Sequence, residues 1–220
     1  MTYEEIINKL KKQSNPKNIE GMARFGINPK NTLGIPIPFL RKLAKEIGKD
    51  HRIADKLWRS GIHEARILAS MIDEIDKVTS KQMDKWASQF DSWDVCDQVC
   101  MNLFDKTPHA FNKAIEWTGQ KQEYYKRAGF ALMAALAFHD KNAPDSKFEK
   151  FFPFIVKEAV DERNFVKKAV NWTLRQIGKR NGKLKKVAIE TAEKILKKHS
   201  DSKSACWVAK NALRELVTDK

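Results

Sequence analysis

The sequence predicts an all-α fold, a curved α-solenoid of antiparallel helix pairs, on three observations. Apolar residues recur at helical spacing in nearly every segment, and no segment alternates with the period of a strand. Only nine glycines and seven prolines serve 220 residues, too few for a β-chain full of tight turns. Two internal similarities share a period: YYKRAGFAL at 124–132 resembles FVKKAVNWT at 165–173, an offset of 41, and TLRQI at 173–177 resembles ALREL at 212–216, an offset of 39. A repeat of that length is a helix pair that buries its apolar face only by stacking on its neighbours.

Thr2 and Glu5 form a capping box before Ile6, Ile7 and Leu10. Asn15-Pro16 opens a second helix with proline at its first position, where the missing N–H costs nothing. GINPKNTLGIPIP at 26–38 is the one clear loop, dense in turn residues. Helices are then expected at about 39–48, 53–60, 63–72, 81–90, 93–104 and 108–117. The second half adds about 123–139, 146–160, 164–178, 184–199 and 204–217. Pro153 inside the 146–160 segment predicts a kink or a short break. Short helices, short connections and the repeat offsets together predict HEAT-like helix pairs in a single domain over 1–220.

Hydrophobic residues make up 42% of the chain and charged residues 32%, a balance that suits many two-faced helices. The net charge of +14 exceeds what a small domain needs for solubility and points to a polyanionic partner. Nucleic acid is the first candidate, an acidic membrane surface the second, and a lysine-rich solvated surface the bland alternative. Three cysteines with no leader-like N-terminus fit a reducing, intracellular and cytoplasmic setting. The longest apolar run, AGFALMAALAF at 128–138, is too short to span a bilayer.

Three helices carry residues that could make a site. In DSWDVCDQVC at 91–100, Ser92 is placed to cap, and Val95, Cys96, Val99, Cys100 and Leu103 form one apolar stripe. Trp93 falls at the edge of that stripe, and Asp97, four residues on, just beyond it. Taken singly they are a core-edge aromatic and a surface carboxylate. The cysteines suit a core; a Cys pair is only half a zinc site, and the five histidines form no HxxxH or HExxH pattern, so no metal is expected. In the helix from 164, Lys167, Lys168, Asn171 and Arg175 share the side away from the apolar stripe, with Trp172 at the boundary. Such a face can follow a phosphate backbone while the ring meets sugar or base; it can equally be a solvated lysine face. The helix from 123 is apolar almost all round after its first turn, and Arg127 sits where that burial begins. A guanidinium there needs a carboxylate, a phosphate or backbone carbonyls. Asp97 and a phosphate are candidates, and so is an ordinary structural salt bridge.

SWDVCDQV at 92–99, YKRAG at 125–129 and ERNFVKKAVNWTLRQIGK at 162–179 resemble the AlkD-like DNA alkylation repair enzymes, built from HEAT-like repeats. The resemblance runs from GIPIPFLRKLAKEI at 34–47 to the C-terminal helix. It rests most on Asn164, Phe165, Lys168, Ala169, Trp172, Leu174 and Arg175. It implies a concave basic face holding duplex DNA, and a monofunctional glycosylase that removes N3- and N7-alkylated purines without enclosing the base in a pocket. Residue by residue, Trp93 matches the first family tryptophan, Asp97 the catalytic aspartate, Arg127 the arginine near the DNA backbone and Trp172 the second tryptophan. Lys126, Lys167, Lys168, Asn171 and Arg175 are expected on DNA. No cofactor is expected, the partner is duplex DNA carrying alkylated purines, and the protein is expected to be a monomer. The N-terminal third, with its long loop, fits the family less closely. Some members bind DNA without detectable excision.

The chemistry implied by the resemblance suits these residues. An N3- or N7-alkylated purine is already cationic and needs no general acid to leave. Breaking its glycosidic bond builds positive charge on the deoxyribose, which Asp97 would stabilise while orienting water at C1′. Trp93 and Trp172 would offer ring faces to the sugar, and Arg127 and Lys168 would hold phosphates. The rival expectation is a non-catalytic helical-repeat module that binds DNA or another protein.

Overall fold

The structure, a computed structural model, describes residues 1–218, and every regular element among them is a helix. In chain order these are α1 (Tyr3–Lys12), α2 (Pro16–Arg24), α3 (Ile37–Ile47), α4 (His51–Arg59), α5 (His63–Ile72), α6 (Ser80–Ala87), α7 (Trp93–Asn102), α8 (Ala110–Trp117), α9 (Glu123–His139), α10 (Asp145–Glu149), α11 (Phe152–Glu158), α12 (Asn164–Gly178), α13 (Gly182–Lys198) and α14 (Lys203–Thr218). Single 3-10 turns lie at Ile75–Lys77 and Phe104–Lys106. No described helix is long and apolar enough to cross a membrane.

Local chemistry sets the boundaries. The Thr2–Glu5 capping box forms as expected. Asp50 caps α4 through the amide of Ile53, which starts that helix earlier than its apolar pattern suggests. Pro153 produces a break rather than a kink: α10 stops at Glu149, and α11 restarts so that Pro153 falls in its first turn. Its missing N–H is harmless there. Ser92 stands at the N-cap of α7 but makes no capping bond; its hydroxyl donates to Asp94 Oδ1 at 2.7 Å instead.

The described residues gather into two compact units, one over Met1–Thr107 and one from Pro108 onward. In the first, α5 is central and packs against α3, α4 and α7. Trp58 and Trp86, both buried, stack with ring centroids 4.1 Å apart. Burying each such large side chain contributes roughly 1.5–3 kcal/mol over leaving it in water.

In the second unit α9 is central, between α8 and α12, and every residue from Arg127 to Ala137 is buried. Gly129 permits the approach of α8: a Cβ there would lie 2.8 Å from the Thr118 amide and 2.9 Å from the Ala114 carbonyl. On the other side Thr173 Oγ1 donates to the Phe130 carbonyl at 2.7 Å, joining α12 to α9 in the core.

Candidate functional site

In the first unit the site is the N-terminal turn of α7, and the long loop before α3 fixes its surroundings. Glu64, 1% exposed on α5, accepts three amides of that loop: Leu33 N at 2.9 Å, Gly34 N at 2.7 Å and Ile35 N at 3.1 Å. Only glycine fits position 34, where φ is +74° and a Cβ would lie 2.3 Å from the Asn15 carbonyl. Asn28 donates to Asp91 at 3.1 Å, and the His63 amide donates to the Asn31 carbonyl at 3.0 Å. The loop is thereby tied both to α5 and to the residues that lead into α7.

Trp93 opens α7, and its indole N–H donates to the Phe25 carbonyl at 3.1 Å. The half-buried ring lines an open groove of about 510 Å³ with Met22, Phe25, Ile27, Ile35 and Pro36. Phe25, at the rim, is 76% exposed. Asp97 is half-buried one turn further along α7, while Val95, Cys96, Val99 and Cys100 are fully buried. Burial, followed by the neighbouring Cys96, pushes the Cys100 thiol well above its ordinary value, so that thiol is inert packing. Among the described residues no group of three or more His, Cys, Asp or Glu side chains could hold a metal ion.

Behind Trp93, His63 Nε2 and Asp94 Oδ2 lie 2.8 Å apart and are largely buried. Burial pushes the His63 pKa down, but the hydrogen bond and charge of Asp94 outweigh it and the net shift is upward. Asp94 mirrors this: burial raises its pKa, His63 and Ser92 lower it, and the net shift is downward. The His63 contribution to stability is therefore complete below the unfolded value of about 6.5 and fades as pH rises through the raised folded value. The Asp94 contribution is present above about 3.9 and fades as pH falls through its depressed value. The difference in Tm between the parent and His63→Gln is expected to be widest near pH 5.5 and to shrink in the alkaline range. A difference constant from pH 5 to 9 would contradict the ion pair.

In the second unit Arg127 is 6% exposed, and its Nη1 donates to the Phe165 carbonyl at 2.6 Å, so it anchors the start of α12. Trp172 is half-buried on α12, Lys168 is exposed, and the Lys167 ammonium stands 5.5 Å from the Trp207 ring centroid. The other cationic and amide positions singled out in the sequence have partners inside the molecule. Lys126 pairs with Glu158 at 2.5 Å and Asp161 at 3.3 Å. Asn171, 2% exposed, donates to the Val208 carbonyl and accepts from Arg175, both at 2.9 Å. Arg175 also pairs with Glu215. Asn171 and Arg175 hold α12 against α14, Lys126 ties α9 to α11 and the turn after it, and a DNA contact would have to displace or share those bonds.

The structure thus brings Trp93 and Asp97 together on one turn of α7, and Lys167, Lys168 and Trp172 onto α12. Sequence reasoning missed Glu64, the His63–Asp94 pair and Phe25. Each acts through a partner about thirty or more residues away, and helical period carries no such signal.

A family model described as DNA alkylation repair enzyme matches residues 6–216. The chain is 23% identical over 213 residues to the uncharacterized protein Lin0241 of Listeria innocua, covering 94% of this chain and 93% of that one. It is 22% identical over 213 residues to the uncharacterized protein Lmo0209 of Listeria monocytogenes, with the same coverage. Among solved structures it is similar to one described as "a new family of proteins related to the HEAT-like repeat DNA glycosylases with affinity for branched DNA structures". The TM-score is 0.79 at 18% identity, covering 88% of this chain and 83% of that chain. At that identity the likeness shows the fold, a HEAT-like helical repeat.

Proposed function

The chain belongs to the DNA alkylation repair enzyme family, and from that premise we propose that it is a monofunctional glycosylase releasing cationic N3- and N7-alkylated purines from duplex DNA. The observation that carries this reading is the pairing of Trp93 and Asp97, both half-buried, on a helix whose Val95, Cys96, Val99 and Cys100 face is core. When the C1′–N bond breaks, its electron pair passes to the purine and neutralises the ring. Positive charge then builds on the deoxyribose. Asp97 stabilises that charge and accepts a hydrogen bond from the water that attacks C1′, leaving an abasic sugar. Trp93, held by the Phe25 carbonyl, packs a ring face against the sugar, and its quadrupole favours the cation. Trp172 and Lys168 of the second unit serve as DNA contacts, with Lys167 beside them; Arg127, engaged by the Phe165 carbonyl, joins Asn171 and Arg175 in positioning α12.

Lys168 is exposed and makes no ion pair among the described residues. Lys168→Ala is expected to weaken binding to any duplex and to flatten the slope of log K against log salt by about 0.9, the share of one released counterion. A slope equal to the parent's would place Lys168 off the DNA.

A second reading is a non-catalytic binder of branched DNA, favoured by the description of the structural neighbour. Incubation with methylated duplex, alongside binding to an unmethylated four-way junction, separates the two. Release of 7-methylguanine or 3-methyladenine supports the glycosylase. Junction binding without release supports the binder.

A further inference from the structure

The exposed face of α14 is not used by the residues assigned so far. At about 100° per residue, Lys203, Trp207, Lys210 and Arg214 fall within roughly 60° of one another, a straight stripe roughly 16 Å long. All four are exposed. None of the three cations makes an ion pair among the described residues. The one acid of α14, Glu215, lies well round the helix and is engaged by Arg175 and Lys179. Ala205, Val208, Ala209, Ala212 and Leu216 make the packing face of this helix and are buried without help from Trp207. The core therefore has no need of that indole, yet it stands 38% exposed between cations. Lys167 of α12 sits over its ring and extends the positive surface toward Lys168.

We infer that this stripe is a binding site for an unpaired DNA strand, with phosphates on Lys203, Lys210 and Arg214 and a base stacked on Trp207. The inference rests on the DNA-binding reading above and adds a site to it. A cationic track with an exposed aromatic in its middle is what sequence-tolerant single-strand binding combines. Stacked base pairs hide their faces, so a duplex could use the cations but not the indole. A strand freed at a tail or branch uses both.

The test compares a blunt duplex with the same duplex carrying a single-stranded tail, using the full chain. The parent is expected to bind the tailed duplex more tightly. Trp207→Ala is expected to lose about tenfold on the tailed duplex and little on the blunt one, the loss of one base–aromatic stack. Trp207→Phe, which keeps a stacking face, is expected to retain most of the affinity and shows that the loss is not unfolding. The combined variant Lys203→Ala, Lys210→Ala and Arg214→Ala is expected to flatten the salt slope on the tailed duplex by about two, at about 0.7 per single-strand phosphate. Equal losses on both DNAs in Trp207→Ala, or no preference of the parent for the tail, would overturn the inference while leaving the duplex-binding reading standing. Binding of an acidic protein by the stripe, with no DNA effect in any variant, would also overturn it. Absence of binding to either DNA would overturn the DNA-binding reading itself.

Discussion

Asp97→Asn is expected to cut release of alkylated purines at least ~100-fold while leaving duplex affinity close to the parent's, the loss typical of removing one electrostatic group aimed at developing charge. The substitution keeps the shape of the side chain and removes only its charge. A carboxylate facing a phosphate backbone contributes repulsion to ground-state binding, so its loss should leave affinity unchanged or slightly higher. The cationic sugar exists only in the transition state, and that is where the missing charge is felt. Single-turnover release and equilibrium binding, measured on the same methylated duplex, separate the two effects. Unchanged release would remove Asp97 from the chemistry; a parallel collapse of binding and release would make it a binding residue.

The second large effect is structural and falls on the loop beside Trp93. Glu64→Ala deletes the acceptor of the Leu33, Gly34 and Ile35 amides. Each buried amide left without a partner costs about 1–3 kcal/mol, less where water enters. A total of about 3 kcal/mol corresponds to a fall in Tm of about 6–12 °C for a chain of this size. Because that loop and Phe25 line the groove around Trp93, release should fall along with stability. Glu64→Gln keeps an oxygen for Gly34 and Ile35 but turns an NH2 group toward Leu33, and an intermediate loss is expected. A Tm within about 2 °C of the parent for the alanine variant would mean that the loop is held by something other than this carboxylate.

Helical period carried most of the fold. The spans of α5, α9 and α12 coincide with those read from the apolar pattern, because each is long or strongly patterned and ends at an unambiguous turn. The capping box at Thr2 was legible for a similar reason: its partners are three residues apart. What escaped were bonds between distant residues. Ser92 has the residue type and position of a cap, but Asp94 lies within its reach and is drawn in by His63, which the local sequence does not reveal. Asn171 and Arg175 lie on the polar side of α12, as a DNA-facing pair would. Only the packing of α14 shows that their groups are taken by Val208 and Glu215. Lys126 reads as part of a basic motif, yet α11 and the turn after it supply two acids to it. The pairing of Trp93 with Asp97 was visible because a spacing of four on a helix fixes a shared face whatever surrounds it.

The central claim, that this chain cleaves glycosidic bonds, is tested most directly by one measurement. Purified protein is incubated with methylated duplex DNA in the presence of a chelator, and the released bases are separated and identified. Free 7-methylguanine or 3-methyladenine, appearing in proportion to enzyme, is the expected result. Tight, salt-sensitive binding to the same duplex with no base released would contradict the claim and make the protein a DNA-binding member of its family.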